Sequence, residues 1–409
     1  MSTKLESNLW KIAVSDILFE VCYIYPIYIL YFQFLGFNFG AIGLFEAITS
    51  LAIILTDLPT GALADFIGRK WTVFIANIFM LLMVLILGFG SGGILIIILA
   101  GVFNGLEFSF KSGAKTALLY DTLKELNREE DFLKVSGKIN AFSTIAKLIG
   151  LILGAYLFTI NPRLPYWSWA VFIGFSLCFI MIVQEPVKAN QKANLRNLVH
   201  DVSNSILFIF RHRILLWFTI FFLIADVFVE SYWDVFSQAH LKSLGLDPAS
   251  FGIIFAIFAG VNSIASYKID VIEKKLGEKK SLYLIILVQG ILFFLLALAN
   301  IWITLILFLI ILTTNREFSL LLEKNYVNKH IPSVNRASIL SAMSFLRNGI
   351  LGGAIIIWSF GFSIDFFGSE PTLITSGLVV LLIGLLLLQI RYSLVDSSRK
   401  ENKFETIKE

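Results

Sequence analysis

Runs of largely apolar residues about 20 long, the length a helix needs to cross a bilayer, recur twelve times along the chain. They cover about 10 to 35, 40 to 62, 71 to 89, 94 to 120, 136 to 160, 166 to 183, 214 to 240, 249 to 268, 281 to 299, 301 to 325, 337 to 362 and 371 to 390, and are broken by Gly, Pro, Asn or charge. The polar positions inside these runs are also patterned. Asp226, Glu230 and Asp234 stand at i, i+4 and i+8, and Asp16 and Glu20 repeat the spacing 210 residues earlier. At about 100° per residue each set forms one helical stripe. An ionisable group among lipid-spanning residues costs at least a few kcal/mol, so such groups face a water-filled path and mark a substrate or proton route.

The pattern repeats by halves. Asp16 and Glu20 correspond to Asp226 and Glu230, Leu35-Gly36 to Leu244-Gly245, Gly68 to Gly277, and Glu107-Phe108-Ser109 to Glu317-Phe318-Ser319, all at an offset of 209 or 210. Lys147 before Gly150 and Gly154 resembles Arg347 before Gly349 and Gly353 at a shorter offset. Many transporters are assembled from such repeats. Residues 1–183 therefore read as one six-helix bundle and residues 214–409 as a second with a short cytoplasmic tail. Residues 184–213 form a polar linker between them. Leu195, Leu198, Val199, Val202, Ile206 and Ile209 follow helical spacing there, so the linker is either an amphipathic helix on the membrane surface or a solvated connector.

Composition agrees. The mean hydropathy is +0.82, and 57% of residues are hydrophobic against 15% charged, where soluble domains carry about 25% charged residues. The basic residues alternate between loops instead of clustering on a face, so nucleic acid is not an expected partner. Most of them fall on the side of the N-terminus, several lie inside spans, and only Arg163 and Lys242 lie opposite, which predicts both termini in the cytoplasm. Cys22 and Cys178 lie inside spans, so no disulfide framework is expected. The first run carries Asp16 and Glu20 and is too long for a cleaved signal. No Gly-x-x-x-x-Gly-Lys loop and no metal-spaced His/Cys cluster occurs, which argues against an ATP-driven pump, an enzyme or a bound metal.

Between the second and third spans the chain reads Asp57-Leu-Pro-Thr-Gly61-Ala-Leu-Ala-Asp65-Phe-Ile-Gly68-Arg69-Lys70. Gly68 permits a tight turn, and Arg69 and Lys70 offer partners to Asp57 or Asp65. This loop resembles the signature of the major facilitator superfamily, Gly-x-x-x-Asp-x-x-Gly-Arg-Lys, matched in order by Gly61, Asp65, Gly68, Arg69 and Lys70. The resemblance implies an all-α membrane fold of twelve helices in two pseudo-symmetric six-helix bundles. It also implies a gating role for the loop, against the alternative of a structural turn with topogenic charges. The second-half counterpart, residues 273–280, keeps the glycine but lacks the Asp-x-x-Gly spacing. In the resembled family spans 1, 4, 7 and 10 line the central cavity, and these are the spans richest in charge here.

Glu20 and Glu230, nearest mid-membrane, are the leading proton-coupling candidates, with Asp16, Glu46, Asp226 and Asp234 beside them. Asn104, Glu107, Lys111 and Lys115 share a face of the fourth span, and Arg316 shares one with Glu323 while Glu317 is turned toward a neighbour. Lys111, Lys147, Arg316 and Arg347 can hold a substrate anion or serve as fixed counter-ions. Tyr23 and Trp233, with Tyr25, Tyr28, Tyr31 and Tyr232, can wall a cavity or face lipid. The Asn140, Ser143, Lys147, Gly150, Gly154 stripe permits close helix contact, although the proline of the family's antiporter motif is absent.

These readings converge on a monomeric, multi-pass protein of the bacterial plasma membrane in contact with lipid. It would move a small polar or amphiphilic organic solute by alternating access, driven by the proton gradient without a cofactor. Export by proton antiport is preferred over uptake by symport. The rival of a different class is a non-transporting receptor, scaffold or lipid-handling protein on the same fold.

Overall fold

The computed structural model describes residues 2–21, 24–186, 204–331, 336–348 and 353–405. Among them nine helices are long and apolar enough to cross a membrane, and two shorter apolar helices, Pro248–Asn262 and Gly353–Phe367, add to these. The charged first span brings the number to the predicted twelve. In chain order the helices are α1 (Ser2–Glu20), α2 (Tyr28–Phe34), α3 (Phe39–Ile67), α4 (Arg69–Phe89), α5 (Ile94–Ser112), α6 (Ala114–Glu125), α7 (Phe132–Ile160) and α8 (Leu164–Met181). After the linker come α9 (Arg213–Val235), α10 (Ser237–Ser243), α11 (Phe251–Ala297), α12 (Trp302–His330), α13 (Arg336–Asn348), α14 (Gly353–Phe367) and α15 (Ser369–Glu405).

The half-chain repeat is written into the backbone. Gly36 and Gly245 both take positive φ, 87° and 85°, and so do Gly68 and Gly277, 109° and 72°. Gly277 therefore divides α11 into two spans within one continuous assignment. The side chains of Asn38 and Asp247, again 209 apart, accept from the amides of Ala41 and Ala249 to start the next helix.

One expectation changes. The first apolar run, 10 to 35, is two helices, because Pro26 has no amide hydrogen to donate and disfavours helical backbone at Tyr25. Its counterpart breaks as well, at Phe236 (φ −132°), without a proline. The short second pieces, α2 and α10, are each seven residues long and lie 209 apart at both ends.

The chain forms two compact units: Met1–His200 with Asp234–Ile257, and Asp201–Trp233 with Phe258–Glu409. In the first, α5 packs on α3 and α4, and α8 on α4 and α1. Lipid supplies little hydrophobic drive between helices, so small residues and polar knots do this work. Gly105 lies so close to α3 that a Cβ there would stand 2.6 Å from that of Ala52. Ser15, Ser176 and Asn77 tie α1, α8 and α4 together through buried bonds of 2.7 to 3.1 Å. Gly252 lies close to α7: a Cβ there would stand 2.6 Å from Ile152 Cα.

In the second unit Trp217, Phe218, Phe221 and Phe222 of α9 pack with Ile285 of α11 and Phe318, Leu322 and Tyr326 of α12. Asn315 donates to the Ile285 carbonyl at 3.1 Å, and Trp217 Nε1 to that of Leu387 at 2.6 Å.

Candidate functional site

Two buried charge networks and one cavity gather most of the sequence candidates. In the first unit Asp16 is salt-bridged to Lys115 and accepts a hydrogen bond from Ser143 Oγ at 2.8 Å. Lys111 Nζ lies 3.6 Å from Glu107 Oε1 and 2.7 Å from the centre of the Phe19 ring. Lys111 interacts electrostatically with Glu107, Glu20, Asp16 and Lys115 together. The network thus joins α1, α5, α6 and α7 and holds three carboxylates against two ammonium groups.

The second unit repeats the arithmetic with arginines. Arg316 Nη2 holds Glu230 Oε1 at 2.5 Å. Arg347 is paired with Glu323 and lies 3.9 Å from Asp226. Asp226 is 2% exposed, and neither of its carboxylate oxygens accepts a hydrogen bond among the described residues. It interacts with Arg347, Glu230, Arg316 and Glu323 at once, again three carboxylates against two cations. Burying an unbalanced charge is costly unless it is neutralised.

Asp234 lies on α9 with Asp226 and Glu230, and its backbone carbonyl accepts from the Tyr28 hydroxyl. Arg316 pairs with Glu230 of α9. Glu317 is half-buried and takes no part in the network.

A cavity of about 270 Å³ opens in the first unit beside the break between α1 and α2. Tyr25, Tyr28, Phe32, Phe45, Tyr166 and Trp169 wall it, and Glu46, Asn104 and Asp234 supply its polar lining. Asn104 also donates to Thr49 Oγ1 at 3.5 Å. Lys147 Nζ stands 5.8 Å from the Tyr25 ring centre. Trp233 packs edge-on against Phe258 in the second unit. Tyr23 and Gly349 lie outside the described residues, as does most of the 195–209 segment.

The loop motif shapes one end of α4. Gly68 is the single residue between α3 and α4, and both carboxylate oxygens of Glu185 accept from the Lys70 amide at 3.2 and 3.3 Å. A carboxylate at a helix N-terminus satisfies donors the helix cannot. Arg69 reaches Asp121 at 3.7 Å, and Ser112 Oγ donates to Asp57 at 3.4 Å. Gly61 and Asp65 lie in the last two turns of α3, the Asp65 side chain being outside the described set. In the second unit the corresponding clamp has reversed sign: Arg391, between the Trp217 and Phe218 rings at 4.7 Å from each, is paired with Glu278 just after Gly277.

Sequence reading missed Glu185, Arg391 and Gln238. Each is a polar residue at the edge of an apolar run, a position where charge is ordinary. Only knowledge of its packing partner separates it from a solvated residue.

Comparison with known proteins follows this geometry. Residues 13–357 match the family model described as Major Facilitator Superfamily. An uncharacterized MFS-type transporter of Bacillus subtilis (strain 168), YxaM, is 27% identical over 270 residues, 63% of this chain and 64% of that protein, so the chain spans slightly under two thirds of this relative's length. Multidrug resistance protein 2 of the same organism is 23% identical over 285 residues, 66% and 67% of the two chains. The crystal structure of the nucleoside transporter NupG superposes with a TM-score of 0.76 at 15% identity, covering 93% of this chain and 98% of that one. With a family model matched over most of its length and the fold that accompanies it, this chain belongs to the Major Facilitator Superfamily.

Proposed function

We propose that this membrane transporter couples proton movement to the export of a small polar or amphiphilic organic solute by alternating access. The observation that carries the reading is the Asp226 network. A carboxylate 2% exposed, without a hydrogen bond among the described residues and 3.9 Å from a guanidinium shared with Glu323, is stable in two ways: ionised with Arg347 close, or protonated with Arg347 engaged elsewhere. Exchange between those arrangements is a means of coupling, because a conformational change that moves Arg347 also changes the proton affinity of Asp226.

The three-to-two balance of the Asp16, Glu20, Glu107, Lys111 and Lys115 network supports a second proton-binding locus. The bias of basic residues supports a plasma-membrane orientation with both termini cytoplasmic. Export is favoured by the aromatic and acidic cavity and by likeness to a relative named for multidrug resistance.

The test uses proteoliposomes bearing an imposed pH gradient and a mixture of small organic solutes, with accumulation read by mass spectrometry. We expect at least one solute to accumulate uphill and the accumulation to collapse with a protonophore. Absence of any gradient-dependent accumulation across a broad mixture would leave a receptor, scaffold or lipid-handling role instead.

A further inference from the structure

The geometry points to the cavity at the broken first span as a binding site for a small organic cation, with Glu46 as its charge partner and the surrounding rings as its walls. This inference rests on the transport reading above and narrows its substrate class.

Charge selects the cation. Among the described residues the cavity is lined by two acidic residues, Glu46 and Asp234, and by no lysine, arginine or histidine. Both carboxylates lie close enough to the Tyr28 hydroxyl to act on it electrostatically. Backbone groups freed by a broken helix are the usual place for an anion or an inorganic cation, yet among the described residues the Ile29 amide and the Tyr25 carbonyl are occupied. Gln238 Oε1 accepts from the Ile29 amide at 2.9 Å, and its Nε2 donates to the Tyr25 carbonyl at 2.8 Å. Recognition is left to side chains.

The walls select an organic cation over a metal ion. Six aromatic residues surround about 270 Å³, room for a one-ring ammonium compound. Ring faces attract cations within about 6 Å of their centres, most strongly where water is excluded. Lys147 Nζ stands 5.8 Å from the Tyr25 ring centre, at the outer limit of that attraction. Asn104 adds one donor and acceptor pair for a polar substituent.

Purified protein in detergent, at fixed pH and without any gradient, is titrated with phenyltrimethylammonium, with its neutral isostere tert-butylbenzene, and with benzoate, binding being read by calorimetry. We expect saturable binding of the cation alone. Glu46→Gln should weaken it at least about tenfold, Glu46→Asp should recover part of the loss, and Glu370→Gln, outside the cavity, should leave it unchanged. Tyr25→Leu, at a residue 43% exposed and so tolerant of change, should also weaken the cation without altering elution on size exclusion. Equal binding of the neutral isostere, preference for benzoate, no saturable binding, or full affinity in folded Glu46→Gln would each overturn the site. Equilibrium binding needs no coupling, so the two readings fail separately: uphill flux without cation binding removes this site, and cation binding without uphill flux removes proton coupling.

Discussion

Gln238 stands in for a hydrogen bond that Ile29 has lost. In an uninterrupted helix the Ile29 amide would donate to the Tyr25 carbonyl four residues earlier. Instead the fully buried amide of Gln238 lies between them, accepting from one at 2.9 Å and donating to the other at 2.8 Å. The side chain of one repeat thus completes the backbone of the other where Pro26 interrupts it. The same break turns Tyr25 and Tyr28 into walls of the acidic cavity.

Gln238→Leu removes both halves of this bridge and leaves the buried Ile29 donor unmatched, at a cost of about 1–3 kcal/mol, along with the part-buried Tyr25 acceptor. We expect a clear fall in the thermal midpoint of the purified protein. Gln238→Glu must either bury a charge against the Tyr25 carbonyl or take up a proton to keep the donor, so its fall should lessen as pH is lowered. An unchanged midpoint in Gln238→Leu would show that water or a shifted helix replaces the bridge.

Gly68 and Gly277 separate two reasons for conserving a glycine conformation in the two halves. Both have positive φ, but a Cβ on Gly68 would stand 2.7 Å from the Glu185 carboxylate, whereas one on Gly277 meets nothing within 4 Å. Backbone strain for a non-glycine residue is on the order of 1–3 kcal/mol at either site. Gly68→Ala must in addition displace the carboxylate that caps α4. Thermal unfolding should therefore rank Gly68→Ala as the more damaging change. The reverse order would mean that Glu185 moves aside freely.

Much of the fold was legible because membrane helices announce themselves by length and apolarity, and because the repeat preserves turn glycines at a constant offset. Gly36 with Gly245 and Gly68 with Gly277 were visible as letters and reappear as matching dihedral angles. The interruption of the first span was less visible, since Pro26 sits in an otherwise apolar run and proline is tolerated in membrane helices when a neighbour satisfies the freed groups. Of the candidate site, spacing placed Glu107 with Lys111 correctly, since both lie on one helix. It did not single out Glu230 as the partner of Arg316 among the acids of the seventh span, nor Glu323 as that of Arg347, because helical geometry orders side chains within an element and says nothing of which elements meet.

Close packing of α3 on α5 depends on Gly105. A methyl group there would stand 2.5 Å from the Thr49 carbonyl and 2.6 Å from Ala52 Cβ, and the first of these is backbone that cannot rotate away. Gly105→Ala should cost about 1–3 kcal/mol through overpacking and lower the thermal midpoint. Adding Ala52→Gly should relieve the contact with the side chain and leave that with the carbonyl, restoring part of the loss. Full rescue would show that the carbonyl contact is easily relaxed.

Asp226 and Glu230 are adjacent on one helical stripe but differ in circumstance, and that difference predicts different phenotypes. Glu230 is partly buried and held by Arg316 at 2.5 Å, while Asp226 is sealed from solvent without a hydrogen bond among the described residues. Glu230→Gln leaves Arg316 short of its partner and should mainly perturb stability or the conformational cycle. Asp226→Asn mimics the protonated acid permanently, so it should retain equilibrium exchange of solute while losing accumulation against a gradient. Counterflow and pH-driven uptake measured on the same proteoliposomes distinguish the two. If Asp226→Asn still accumulated solute uphill and Glu230→Gln did not, Glu230 would be the proton carrier and Asp226 a packing residue.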